Sequence, residues 1–212
     1  MSQHNLFTNS EIAGSYEVWY STTGRWADQQ EKALMKRLLK GFPSARSILE
    51  VGCGTGHFTR WFREQGKQAI GLDASRAMLN EAKRFGSKLL LQGNALEIPF
   101  ALNSFDLIAL ITTLEFFPDA SKVINEAQRV ARQGFILGVI NSQSSLGRKY
   151  KRSGNPVWEA AKLFSPDQLK HLILENIAGK IKIVWRTTLW PLFPISLPLP
   201  WGGFIGMSVK FK

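Results

Sequence analysis

Cysteine is nearly absent from this 212-residue chain, where Cys53 stands alone. One thiol cannot close an internal disulfide, so a secreted, stapled scaffold is excluded, and a two-cysteine metal site with it. Histidine is almost as sparse. His4, His57 and His171 lie far apart and show no metal-ligand spacing, so no metal is expected. Long apolar runs are missing as well. The most apolar stretch, Trp190 to Met207, is broken by Pro191, Pro194, Pro198 and Pro200, whereas a membrane span needs about 20 apolar residues with every backbone group paired. Residues 1–10 lack the basic-then-apolar pattern of a secretory leader. No transmembrane segment is expected, and a reducing cytoplasm is the expected location. Repeats and low-complexity tracts are also wanting. Hydrophobic residues make up 44% and charged residues 20%, close to globular averages, which excludes disorder, collagen and coiled coil for the whole chain.

Acidic residues are scarce beside basic ones, 16 against 27, for a net charge of +11. The imbalance is local. Residues 141–212 hold 11 basic and 3 acidic side chains, a net of +8, with the densest run at Arg148, Lys149, Lys151 and Arg152. Such a surface attracts nucleic acid, anionic membrane or acidic substrates, or serves only to keep a protein soluble.

What the chain does have is alternation. Glu11–Tyr20 and Trp26–Leu39 read as helices, the second stopped by Gly41 and Pro43. Ser47–Val51 reads as a strand. A glycine-led helix follows from Gly54 to Gln65, then a strand at Gln68–Leu72, a helix at Ser75–Phe85 and a strand at Lys88–Gln92. Phe105–Ile111 is apolar throughout, as a strand covered on both faces should be. Asp119–Arg132 reads as an amphipathic helix and Gly134–Ile140 as a buried strand. Ser165 and Pro166 open a helix to Asn176. Lys180–Thr187 and Phe204–Phe211 close the chain as strands without a helix between them. This order implies a doubly wound α/β sheet of seven strands, the last antiparallel. Residues 1–40 are expected as an N-terminal helical cap and residues 41–212 as the main domain.

The strongest motif is Glu50-Val-Gly-Cys-Gly-Thr-Gly56, directly after a strand and opening a helix. Alternating glycines let backbone approach a ligand without a Cβ in the way, and a helix N-terminus offers free N–H groups to an anionic moiety. A dinucleotide fingerprint would need a third glycine where this chain has His57 or Thr59. Asp73, about 20 residues past the loop at the end of the next strand, is placed to accept from both ribose hydroxyls. Asn94-Ala95 follows the third strand, where an amide and a backbone N–H can read a base edge. Thr112, Thr113 and Glu115 follow the fourth.

With these pieces in order, the chain resembles the class I S-adenosylmethionine (AdoMet) dependent methyltransferases, which have a Rossmann-like fold, and within them the small-molecule group typified by ubiquinone and menaquinone biosynthesis. Tyr16-Glu-Val-Trp19, Gly24-Arg25 and Phe164-Ser-Pro166 also look like segments of that group. The resemblance implies particular roles. Glu50, Gly52 and Gly54 would hold the methionine end of AdoMet and Asp73 the ribose. Ala74 and Met78 would flank the adenine, with Asn94 and Ala95 at its edge. Thr112 would face the methionyl chain, and Tyr16, with Trp19, would close over the cofactor. Glu115 would be the acid/base candidate, with His171 behind it. The implied acceptor is a small or lipid-like molecule, entering among the aromatics of residues 141–165 and 188–203, Phe193 included, past the basic run. Two alternatives remain open at this point: an RNA methyltransferase recruited by the basic third, and a non-enzymatic AdoMet- or dinucleotide-binding module.

Overall fold

In the computed structural model the chain is described at Phe7, residues 10–190 and residues 194–212. The apolar run Phe105–Ile111 forms β4, buried along nearly its whole length. β1 (Ser47–Val51) lies beside it in parallel, followed outward by β2 (Gln68–Asp73) and β3 (Leu90–Gln92). On its other side runs β5 (Ala131–Ile140), also parallel. Then comes β7 (Phe204–Phe211), antiparallel to both β5 and the edge strand β6 (Ile181–Thr188). The order β3-β2-β1-β4-β5-β7-β6 is the doubly wound, seven-stranded sheet expected, with the last strand reversed. The winding changes direction between β1 and β4, so a crevice opens at their carboxyl ends.

Helices cover both faces. On one, α5 (Ala120–Val130) and α8 (Pro166–Asn176) bury Val123, Ile124, Ala127, Leu169 and Ile173 against the sheet. Ser165 caps α8 through a capping box with Gln168, as its sequence signature promised. On the other face, α2 (Arg25–Leu39) and α3 (His57–Glu64) bury Leu34, Met35, Leu38, Phe58 and Phe62. Ser75 caps α4 (Arg76–Arg84) by accepting from the Met78 N–H.

Four differences from the sequence reading have local causes. The helix expected to reach Arg132 ends at Val130, because Ala131 is already paired with Phe105 in the sheet. The helix after the glycine loop begins at His57 rather than Gly54, because Gly52, Gly54 and Gly56 all have positive φ. Residues 141–165 hold two short helices, α6 (Ser145–Lys151) and α7 (Pro156–Ala160), capped by Ser144 and Asn155. The segment expected as a cap divides in two. α2 packs against β7 and β6, with Leu34 and Met35 seated on Gly206, while α1 (Ser10–Ser21) lies against α4.

No helix among the described residues is long and apolar enough to cross a membrane. None of the described residues of the proline-rich loop lines the pocket in the crevice. Its Ser196, Leu197 and Leu199 carbonyls accept from Arg186 and Thr187 on β6, and Trp201 is exposed. Pro191 and Phe193 lie outside the described residues.

The burial of α2 has a measurable consequence. Leu34 is sealed at 1% exposure, so Leu34→Ala should cost about 2–5 kcal/mol of stability. A chain begun at residue 25 should melt cooperatively, and one begun at residue 41 should not. Thermal denaturation of the three proteins checks both statements.

Candidate active site

The turn after β1 is built by glycines in a left-handed conformation. Gly52 has φ 72° and Gly54 φ 52°, which an L side chain rarely adopts. A Cβ on Gly52 would run into the Thr113 side chain, which holds the turn from behind by donating to the Val51 carbonyl at 3.1 Å. A Cβ on Gly54 would meet nothing nearer than Met78 Sδ at 4.0 Å and would project into an open pocket. Across the crevice, Thr112 also has positive φ, 50°, and donates its N–H to the Gly138 carbonyl. A non-glycine residue in that region is uncommon and concentrates at functional sites.

Asp73 ends β2 with its carboxylate between two loops. Oδ2 accepts from the Gly54 N–H at 2.7 Å and Oδ1 from the Ser75 N–H at 2.8 Å. A carboxylate oxygen can accept more than one hydrogen bond. Asn94 accepts from the Leu96 N–H through Oδ1, so its NH2 group is what it offers a ligand.

All ten residues named from sequence for the cofactor line one pocket: Tyr16, Glu50, Gly52, Gly54, Asp73, Ala74, Met78, Asn94, Ala95 and Thr112. Trp19 is not among them; it packs its ring against Tyr20 and over Gly24. His171 is exposed on α8. Glu115 is not in the lining either. It is completely buried in the 3-10 turn Leu114–Phe116 after β4, accepting the Ile140 N–H at 2.8 Å. The basic run lies on α6 with Arg148, Lys149, Lys151 and Arg152 exposed, while Tyr150 between them turns inward to stack on Trp158.

Phe7, Tyr20, His57, Phe116 and Phe117 also line the pocket and were not named for it from sequence. For His57 the signal was its position as the first helical residue after the glycine turn. The rest depends on how α1 folds back. His57 stacks on Tyr20, rings 3.7 Å apart and nearly parallel, and bonds Asp28 of α2 at 2.7 Å. Glu17 of α1 accepts from Arg60 at 2.6 Å, with its other oxygen 3.8 Å from His57. α1, α2 and α3 are thereby tied together beside the pocket. Burial works against charge in all three acids and bases, but the hydrogen bonds win. Glu17 is brought down to about 2 by His57 and Arg60, Asp28 is lowered by His57 and Lys32, and His57 is raised by Asp28 and Glu17.

Glu50 is the opposite case. It is 2% exposed, the Thr59 hydroxyl donates to it, and burial pushes it up to about 8. Burial and the neighbouring carboxylates also raise the Cys53 thiol, which makes it a poor nucleophile. The unfolded chain ionises Glu50 near 4.5, while the folded, ligand-free protein keeps the proton to about 8. The unfolded state therefore binds fewer protons across that window, and stability falls as pH rises through it. His57 adds the same sign, since the stability from its raised pKa is present below 6.5 and lost above it. Glu50→Gln should lose less stability than the wild type over this range, as read from urea midpoints at a series of pH values.

Comparison with known proteins bears on the same strands. Residues 49–138 match the methyltransferase domain family. An uncharacterized protein of Methanocaldococcus jannaschii is 29% identical over 197 residues, covering 88% of this chain and 93% of that protein. Demethylmenaquinone methyltransferases of Oceanobacillus iheyensis and Bacillus cereus are 32% and 34% identical, over 62% of this chain. The chain spans only 58% of the length of those two enzymes. Among solved structures, a Thermotoga maritima AdoMet-dependent methyltransferase, described as a possible histamine N-methyltransferase, aligns with a TM-score of 0.79 at 27% identity. That alignment covers 96% of this chain and 97% of its counterpart. The magnesium protoporphyrin IX methyltransferase of Synechocystis, solved with S-adenosylhomocysteine, shares the fold at 14% identity, with a TM-score of 0.64 and 88% and 84% coverage. The domain match lies over the strands that shape the crevice and the structural match runs nearly end to end, and together they mark the chain as an AdoMet-dependent methyltransferase with AdoMet as its methyl donor.

Proposed function

We propose that this methyltransferase acts on a small, mostly apolar acceptor, and that the ten pocket residues named above hold the donor in the roles set out from sequence. The observation that carries the reading is the cradle at Gly54. Its missing Cβ opens the pocket beside a carboxylate, Asp73, suited to two ribose hydroxyls. Glu50 fits the same ligand. A buried carboxyl that no described ion pair joins to a cation is pushed toward its neutral form, and the ammonium of a methionine moiety would restore its charge. AdoMet supplies a methyl group on a positively charged sulfur that leaves readily. The protein's share is then approach geometry and exclusion of water rather than strong acid–base chemistry.

In this reading α1 and Phe7 are the cap. Phe7 packs edge-on against Tyr16 and Phe116, and its carbonyl accepts from Ser75 beside Asp73. The acceptor enters where Phe116, Tyr150 and Trp158 gather between the 3-10 turn and α6–α7. The relatives that act on demethylmenaquinone, and the neighbour described for histamine, support an acceptor of small ring size. A lone, buried Cys53 suits work in a reducing cytoplasm.

Calorimetric titration with AdoMet tests the donor assignment. Asp73→Ala removes two charge-assisted hydrogen bonds, each worth roughly 1.5–3 kcal/mol, so affinity should fall at least about tenfold. A chain begun at residue 25 should bind AdoMet more weakly than the full chain while melting cooperatively. Unchanged affinity in the Asp73 variant, or equally tight binding of NADH by the wild type, overturns the assignment.

A further inference from the structure

We propose that a second cavity, on the basic side of α6, binds a phosphate ester, carried either by a small molecule or by a lipid headgroup. The inference stands on the geometry of that cavity and does not rest on the acceptor reading above.

The cavity has a volume of about 350 Å3 and shares no lining residue with the donor pocket. Pockets that hold small molecules start at about 300 Å3. Four cations line it, Arg148, Lys151, Arg152 and Lys162, together with the buried Gly147 and Ala161, and no acidic residue does. Two of the cations are held in place by backbone. Arg148 donates to the Gln143 carbonyl at 2.7 Å, and Lys151 donates to the carbonyls of Glu159 and Ala161 at 2.6 and 3.0 Å. The side chains of Arg152 and Lys162 enter no hydrogen bond or ion pair among the described residues. Two anchored cations and two uncommitted ones therefore surround one hollow.

Other uses of positive charge do not account for this arrangement. A cation in the last turn of α6 offsets the helix dipole, but Lys162 lies beyond α7 on a different element. Charge that serves solubility is best dispersed with both signs interspersed, whereas here like charges converge on a concavity and raise its potential. A nucleic-acid groove sets exposed aromatic faces among its charges, whereas Tyr150 turns inward to stack on Trp158. The chemistry that matches is a compact anion with several acceptor oxygens. A phosphate monoester brings three oxygens and nearly two charges, and guanidinium meets it with paired hydrogen bonds. A carboxylate brings one charge and leaves more of the repulsion among four cations unrelieved.

One backbone bond joins the walls of the two sites. Lys162 lines the cavity while its N–H donates to the Glu115 carbonyl at 2.7 Å, and Phe116, the next residue, lines the donor pocket.

The test uses the full chain in about 0.15 M salt, where diffuse surface attraction is largely screened. Phenyl phosphate is titrated calorimetrically, and phosphatidylcholine vesicles with and without phosphatidic acid are sedimented with the protein. Phenyl phosphate should bind with a Kd below about 1 mM, which identifies a small ester, or the vesicles should carry protein down only when they hold phosphatidic acid, which identifies a headgroup. The double variant Arg152→Gln, Lys162→Gln should weaken that binding at least about tenfold. It should keep wild-type melting and S-adenosylhomocysteine affinity, since neither side chain has a described partner to lose. Lys170→Gln with Lys180→Gln removes the same charge from exposed positions elsewhere and should leave binding unchanged. Binding of neither probe, equal loss in both double variants, or tighter binding of poly(U) RNA that the cavity variant abolishes overturns the site.

Discussion

The Asp73 carboxylate is the constraint on which the rest of the site depends. It accepts from the backbone of Gly54 with one oxygen and of Ser75 with the other, joining the turn after β1 to the turn after β2 across the mouth of the crevice. Without that clamp, three left-handed glycines would have little to choose one conformation over another, since glycine is free on both sides of the φ map. Thr113 completes the restraint from below, filling the space a Gly52 side chain would need. The pocket is thus shaped before any ligand arrives, and its rigidity comes from neighbouring strands rather than from the loop itself.

Sequence alone revealed the sheet and the donor pocket because their signals are local. A buried strand shows as an unbroken apolar run, a phosphate- or nucleoside-binding turn as clustered glycine, and a strand-end acid by its offset from that turn. Phe105–Ile111, Gly52–Gly56 and Asp73 are each readable without knowing what they touch. Tyr20, Phe7 and Glu31 were not, because their meaning arises only when α1 and α2 fold back across the sheet. Nothing in residues 25–39 distinguishes a helix lying over a ligand from one lying over β7; the choice is made by Gly206, more than 160 residues later, which leaves room for Leu34 and Met35. Glu115 shows the limit in another way. Its place after β4 was legible, but its inward turn toward Ile140 was not.

The charge distribution is divided between inside and outside. The surface is strongly basic, yet the buried charged residues on the crevice side are acidic: Glu17, Asp28, Glu31, Glu50 and Glu115. Burying carboxylates in low dielectric is costly unless they are paired or protonated. Glu17 and Asp28 are paired through Arg60, His57 and Lys32 and stay ionised, whereas Glu31, Glu50 and Glu115 are pushed toward the neutral form. One half of the acidic interior therefore fastens α1 and α2 to α3, and the other half is responsive to whatever positive charge enters.

Strand β7 follows every other strand in the sequence yet occupies an inner place in the sheet, between β5 and β6. During synthesis the long hydrogen-bonding edge of β5 must wait, uncovered, until residues 204–211 leave the ribosome. The apolar faces of Leu34 and Met35 wait with it, because the surface they rest on is part of the same strand. An exposed edge of seven residues, Gly134–Ile140, is a template for pairing with other chains. The topology therefore sets a time during biosynthesis when this protein is vulnerable to aggregation, and that interval closes in a single late step in which β7 slides between its neighbours.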